Sequence, residues 1–235
     1  MASNLNMIGA MVSQLLMCAL LAVPVGEKLT YKVKYGPLTA GSLTLEVAGI
    51  EEVAGESCYL LVSHLVSNPS YSSLFSLDDL IESWCRTSDF ITLRTHKTVH
   101  EGRFRDDVTV DFDYEAESAL YSDSTRVGLR GESRDMLSMW YYFRDVGLEM
   151  GDEFHTWSHV DKKNYNVTVS VDHEDYVETR AGEFDCLIVE LSSSGPAASG
   201  KVYLSNDDRS LPVVIKTRLP LGYITASLVN IESSE

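Results

Sequence analysis

The side chains best suited to metal binding or proton transfer in this sequence are its six histidines. His96 and His100 stand four residues apart, and so do His155 and His159. On a strand, residues at that spacing share a face but lie about 13 Å from each other. Zinc needs its ligands at about 2 Å, so neither pair can bind one ion alone. Only cross-strand pairing would bring His96 towards His155. His100-Glu101 and His173-Glu174 lack the second histidine of a zinc-protease helix. Asp111-x-Asp113-x-Glu115 opens like a calcium loop, but Ala116 takes the place of its glycine and Ser122 that of its closing glutamate. There is no nucleophile elbow, no CxxC pair and no glycine-rich phosphate loop. Cys186 alternates with Phe184 and Ile188, the pattern of a buried, inert thiol. The residues predict no metal, no cofactor and no catalytic group, although triad members need not be neighbours in sequence.

The remaining candidates lie on one helix. Between Ser133 and Phe154 the apolar residues recur at helical spacing, with Asp135 placed as N-cap and Gly147 as the stop. Leu137, Trp140, Tyr141 and Arg144 share a face, which Met136 and Phe143 widen. So apolar a helix must be covered. If the cover leaves a slot, these four residues are the ligand-lining candidates. If it leaves none, they are plain core, with Arg144 paired to a carboxylate because a lone buried charge is too costly.

The cover has to come from strands. Lys28 to Tyr35 alternates, with Leu29, Tyr31 and Val33 on one side and Lys28, Lys32 and Lys34 on the other. Further strands are expected at Gly41–Val47, Cys58–Ser67, Leu80–Arg86, Ile91–His100, Arg103–Tyr114 and Ala119–Ser122. In the last long run Phe104, Val108, Val110, Phe112 and Tyr114 share a face. Residues 71–76 read as a loop. After the helix come Glu153–Val160, Tyr165–Val171, Asp175–Thr179, Glu183–Leu191, Lys201–Leu204, Pro212–Thr217 and Tyr223–Ile231. Short turns between successive strands imply antiparallel pairing. A sheet of that size curls up. The expected fold is mainly β: a curved antiparallel sheet forming a barrel or half-open barrel around one central α-helix.

Composition sets the address. The net charge of −16 argues against nucleic acid, and against electrostatic docking onto anionic lipid headgroups. Residues 1–22 carry no charge, are apolar from Met7 and end on small residues, which reads as an export signal without the usual leading Lys or Arg. The rest, 23–235, reads as one β-barrel-like domain in the periplasm or secreted. The other readings of the leader are an uncleaved apolar segment and a lipid anchor at Cys18. Of the remaining cysteines, Cys58 and Cys85 can form a disulfide if their strands are neighbours; otherwise Cys58, Cys85 and Cys186 are three free, buried thiols.

Four stretches, in order, resemble one known family. They are Gly26-Glu27-Lys28-Leu29-Thr30-Tyr31 through Tyr35-Gly36 and Ala40-Gly41; Asp135-Met136-Leu137-Ser138 through Tyr142-Phe143-Arg144 and Gly151-Asp152; Ala181-Gly182-Glu183-Phe184-Asp185; and Val202-Tyr203-Leu204-Ser205-Asn206-Asp207-Asp208-Arg209 with Leu211-Pro212-Val213 and Leu221-Gly222. The chain is similar in these to the bacterial exported proteins grouped as domain of unknown function 3108. The resemblance implies export to the envelope, a mainly antiparallel β fold, and an architecture like that of the half-open barrels that carry lipoproteins, the last by analogy of fold alone. It implies no activity. Residues and resemblance together predict a non-catalytic envelope protein that binds an apolar ligand, or a lipidated or unfolded partner, in its concave face. The alternatives are a structural subunit of an envelope assembly with a filled core, and a hydrolase.

Overall fold

The computed structural model describes residues 23–70, 76–193, 200–219 and 222–233. The expected leader over 1–22, with Cys18, lies outside them, as do residues 71–75 of the expected loop. The strands before the helix are β1 (Lys28–Tyr35), β2 (Leu38–Val53), β3 (Glu56–Ser67), β4 (Asp78–Arg86), β5 (Thr92–Glu101), β6 (Phe104–Asp113), β7 (Ser118–Tyr121) and β8 (Arg126–Gly128). The helix, α1, spans Met136–Asp145. The strands after it are β9 (Glu153–Val160), β10 (Lys163–Thr179), β11 (Gly182–Ser193), β12 (Gly200–Ser205), β13 (Pro212–Leu219) and β14 (Gly222–Glu232).

All fourteen form one antiparallel sheet in the order β8-β7-β6-β5-β4-β3-β2-β1-β14-β13-β12-β11-β10-β9. Each hairpin pairs with its sequence neighbour, and the two halves are joined by β1 against β14. The ladder does not close: β8 and β9 remain its edges. α1 is packed into the concave side. Its Leu137, Met139, Tyr141 and Phe143 belong to the same buried cluster as Leu29 and Tyr31 of β1, Leu61 of β3, Val169 of β10 and Leu228 of β14. The mainly antiparallel sheet with one helix in its hollow therefore stands, as a barrel-like sheet left open along one seam.

Alternation sets the faces where it is unbroken. Leu29, Tyr31 and Val33 are buried and Lys32 and Lys34 exposed, as the period of two requires. Bulges explain where the expected strands were cut short. A register shift between Val47 and Gly49 lets β2 run on to Val53, and one between Val171 and His173 joins two expected strands into the single β10. Phe104 keeps the face of Val110 and Phe112 but is not part of the core. It is 57% exposed, because it sits at the hairpin tip, beyond the core. Gly41 faces both Val33 and Ser67, and a Cβ there would run into the Val66 carbonyl oxygen. Only glycine lets those backbones approach.

Cys58 and Cys85 do lie on neighbouring strands, yet they are both free. The register explains it. Cys85 is opposite Tyr59, so it shares Tyr59's face in the main core, whereas Cys58 points to the other face with Val53 and Leu93. Side chains on opposite faces of a sheet cannot bridge. Cys186 is buried and free as well. Burial pushes all three thiols up, Cys186 to about 12. A thiol reagent should leave Cys58, Cys85 and Cys186 unmodified in the folded protein and label all three, without reductant, once it is unfolded.

Candidate functional site

α1 starts where Asp135 ends the extended approach. The Oδ1 of Asp135 accepts from the backbone N–H of Leu137 at 2.7 Å and of Ser138 at 2.9 Å. Its Oδ2 accepts from the hydroxyls of Ser83 on β4 and Thr92 on β5. This N-cap therefore also fastens the helix to the sheet. The helix ends at Val146, followed by Gly147 at φ +63°.

Near the C-terminal end, the Arg144 guanidinium donates to both carboxylate oxygens of Glu27, at 2.5 and 2.9 Å, and through Nε to the Arg209 carbonyl at 3.2 Å. Burial works against its charge, but the Glu27 carboxylate holds Arg144 above its ordinary value. Two phenols lie near the pair, those of Tyr31 and Tyr141, fully buried and with no hydrogen-bond partner among the described residues. Burial pushes both up.

The N-terminal half of α1 meets a cavity instead. About 590 Å³ lies between it and the sheet, within the usual size range of small-molecule sites. Its apolar wall includes Leu45 of β2, Ile81 of β4, Val110 and Phe112 of β6, and Leu137 and Trp140 of α1. The indole N–H of Trp140 is buried and has no partner among the described residues. The mouth is polar, with Asp106, Asp107, Asp123, Asp161 and Lys162. Leu137 and Trp140, two of the four sequence candidates, line this cavity. Tyr141 and Arg144 do not; they lie in the packed core, Tyr141 at 2% exposure and Arg144 on Glu27.

One wall of the cavity is the open seam, where side chains take over from the ladder. Tyr121 on β7 meets His159 on β9, O to Nε2, at 2.8 Å. The same phenol oxygen accepts from Lys162 N–H at 2.7 Å, so its own proton is left for His159 Nε2. Asn164 Nδ2 donates to the Gly128 carbonyl at 2.8 Å, which leaves its Oδ1, 2.9 Å away, to accept from His159 Nδ1–H. Every group in this relay is used with His159 neutral. Asp161 and Lys162 form the two-residue β9–β10 turn with both φ positive, and Lys162 also reaches Asp123 across the seam at 2.6 Å. Sequence spacing put His159 and His155 on one face but out of each other's reach; the structure gives His159 the partners Tyr121 and Asn164. His155 contacts Thr168, whereas His96 contacts Glu82 and Asp107, so His96 and His155 do not meet.

Burial lowers His159 below the ordinary histidine value, with Asn164 opposing. As pH falls, the unfolded chain therefore takes up this proton first. The stability that neutral His159 provides is complete above the unfolded value of about 6.5 and is lost as pH drops from there through the folded value. His96, raised by its hydrogen bond to Glu82, acts the opposite way: its contribution is present below about 6.5 and fades as pH rises through its folded value. Denaturant melts of the wild type and His159→Phe should thus converge between pH 7 and pH 5, the wild type losing more on the acid side. A constant difference would remove His159 as the titrating group.

The fold and cavity define a class: an open, barrel-like antiparallel sheet with an apolar hollow beside one internal helix. A solved structure of the same kind, a β-barrel-like protein of domain of unknown function 1849 from Brucella abortus, superposes with a TM-score of 0.59 at 10% identity, covering 91% of this chain and 100% of that one. Two more distant likenesses are a protein named as exported, with a YmcC-like fold, from Bacteroides fragilis (TM-score 0.41, 12% identity, 91% and 99% covered) and one named as a lipoprotein from Parabacteroides distasonis (TM-score 0.40, 10% identity, 91% and 98% covered). No curated protein matches the chain. The family model of the proteins of unknown function DUF3108 matches residues 30–229, and the chain belongs to that family.

Proposed function

We propose that this is a non-catalytic binding protein of the cell envelope, exported to the periplasm or beyond, that holds an apolar ligand or the lipid chain of a partner in the hollow beside α1. The single observation that carries it is the cavity of about 590 Å³ walled by Leu45, Ile81, Val110, Phe112, Leu137 and Trp140. A well-packed core has few voids larger than a water molecule, so a space this size serves something other than stability. The indole N–H of Trp140 supplies one donor for an ester or carboxyl oxygen of the occupant. The non-catalytic reading is supported by two titratable groups of the cavity that are already occupied. Asp135 is spent on the helix cap and His159 on the seam. Export rests on the apolar leader alone. The likeness to lipoprotein carriers belongs to this proposal as an analogy of fold.

A fluorescent acyl probe tests it. The probe should bind saturably, one per chain, and quench or shift Trp140 emission. Val110→Trp, which fills the cavity, should weaken binding at least about tenfold while the melting temperature moves little; one decade of affinity corresponds to about 1.4 kcal/mol. Binding that is unsaturable, or unchanged in Val110→Trp, would end this reading.

A further inference from the structure

The sheet carries a second feature, on its convex side. In an antiparallel order the β1–β2, β5–β6, β7–β8 and β9–β10 turns all fall at one end of the barrel. The cavity mouth opens at that end, since Asp106, Asp123 and Asp161 stand in or beside three of those turns. Around the rim, charge is split. Those carboxylates lie towards the seam. Diametrically opposite, where β1 meets β12–β14, the sheet carries five of the chain's eight lysines and a single carboxylate, Glu232, which is in register with Lys28 at the far end. A chain of net charge −16 thus has one outer panel whose own strands carry more lysines than carboxylates.

Register lines the panel up. Lys34 is opposite Thr225, Thr225 opposite Lys216, and Lys216 opposite Lys201. Like charges directly across a pair are destabilising, and Lys216 is steadied here by donating to the Tyr203 hydroxyl at 2.8 Å. Lys201 is taken by Glu190 and Lys28 by Glu46, but Lys32, Lys34 and Lys216 form no ion pair with the described residues. At the open end the rim exposes Tyr35 and Leu38, a facing pair at the β1–β2 tip on the inner side, and Tyr223 on the lysine side, one residue from Tyr35's other partner, Ile224. Leu38 is 52% and Tyr223 55% exposed. Lysines backing exposed tyrosines and a leucine match the headgroup layer of a bilayer, where phosphates meet the first methylenes.

We infer that the open-end rim of β1 and β12–β14, lysines outside and Tyr35 and Leu38 at its lip, seats the protein on an anionic lipid surface. Whole-chain charge hid this, because the carboxylates that outweigh the panel are elsewhere. The surface stands apart from ligand binding but gives it a route: a protein seated there holds its mouth at the edge of the layer from which an acyl chain would come.

The test is co-sedimentation of the purified protein with vesicles of equal phosphatidylglycerol and phosphatidylcholine, against vesicles of phosphatidylcholine alone. The wild type should pellet with the former at low salt and be released as salt rises. Lys32→Glu/Lys34→Glu should weaken that binding at least about tenfold, Lys32→Gln/Lys34→Gln by less, and Tyr35→Ser/Leu38→Ser should leave binding that salt abolishes sooner. Arg103→Glu/Arg105→Glu, in the β5–β6 turn and at the start of β6, should bind as the wild type does. All four variants should keep the wild-type affinity for the acyl probe, so failure here and failure of the cavity reading show separately. No pelleting with the anionic vesicles, equal pelleting with neutral ones, a Lys32→Glu/Lys34→Glu variant that binds undiminished, or polyglutamate binding tighter than the vesicles would each overturn the inference, the last in favour of an acidic protein partner.

Discussion

Arg144→Ala should destabilise the protein by about 3–5 kcal/mol, and Glu27→Ala by a similar amount, because either change leaves an uncompensated charge in a dry interior. Both side chains are nearly out of water, at 5% and 6% exposure, so screening by solvent does not discount the figure. The geometry is bidentate, and the Arg144 Nε is satisfied by the Arg209 carbonyl. At this chain length each kcal/mol moves the melting temperature by about 2–4 °C, so a fall of about 6–20 °C is expected. The pair as a whole is worth far less than breaking it. Arg144→Met/Glu27→Leu removes both charges and should recover most of the loss, since apolar replacement of a buried pair is often neutral or better. A double variant as unstable as the worse single one would show that the site needs its ions for something beyond mutual neutralisation. The Tyr31 and Tyr141 phenols beside the pair would be the first place to look.

That pair also marks how far the sequence could be read. The need for a partner to Arg144 follows from its place on an apolar stripe, but its identity does not, because Glu27 is 117 residues away. α1 itself was legible, because Asp135 and Gly147 bracket a run of period 3.6. So were the faces of β1, where nothing interrupts the period of two. What periodicity could not supply is which part of the helical stripe meets empty space. Leu137, Tyr141 and Arg144 recur along one side of the helix and so spread over about 10 Å of its axis. The cavity touches only the N-terminal end of that line, at Leu137 and Trp140, while core from both halves of the sheet closes over the rest. The relay from Tyr121 through His159 and Asn164 to Gly128 was equally out of reach. It exists only because β7 and β9, at opposite ends of the strand order, are brought together when the sheet curls.

Replacing Asp135 should be nearly as costly as breaking the ion pair, for a different reason. Its carboxylate accepts four hydrogen bonds, two from the first turn of α1 and two from hydroxyls on the sheet. Asp135→Ala removes the cap, worth about 0.5–2 kcal/mol. It also strips an ionised acceptor from Ser83 and Thr92, both fully buried, at about 1–3 kcal/mol for each hydroxyl left unpaired. Thr92 can turn to Ser138, 2.9 Å away, so one of those two losses is partly made good. The expected total is about 3–4 kcal/mol. Asp135→Asn separates the parts. Asparagine caps as well as aspartate, so the helix start survives, while its amide offers the sheet one acceptor or two donors but no charge. It should recover about half the loss. The two variants should differ again in binding, because Met136 and Leu137, which the cap holds in helical geometry, are cavity wall. Asp135→Ala should lower acyl-probe affinity at temperatures where the fold is intact, and amide exchange should quicken at Leu137 and Ser138 first. Asp135→Asn should leave both close to the wild type. If Asp135→Ala melted early yet bound the probe with undiminished affinity, the N-terminal turn of α1 would not be what shapes the hollow, and the wall contributed by β2, β4 and β6 would have to suffice alone.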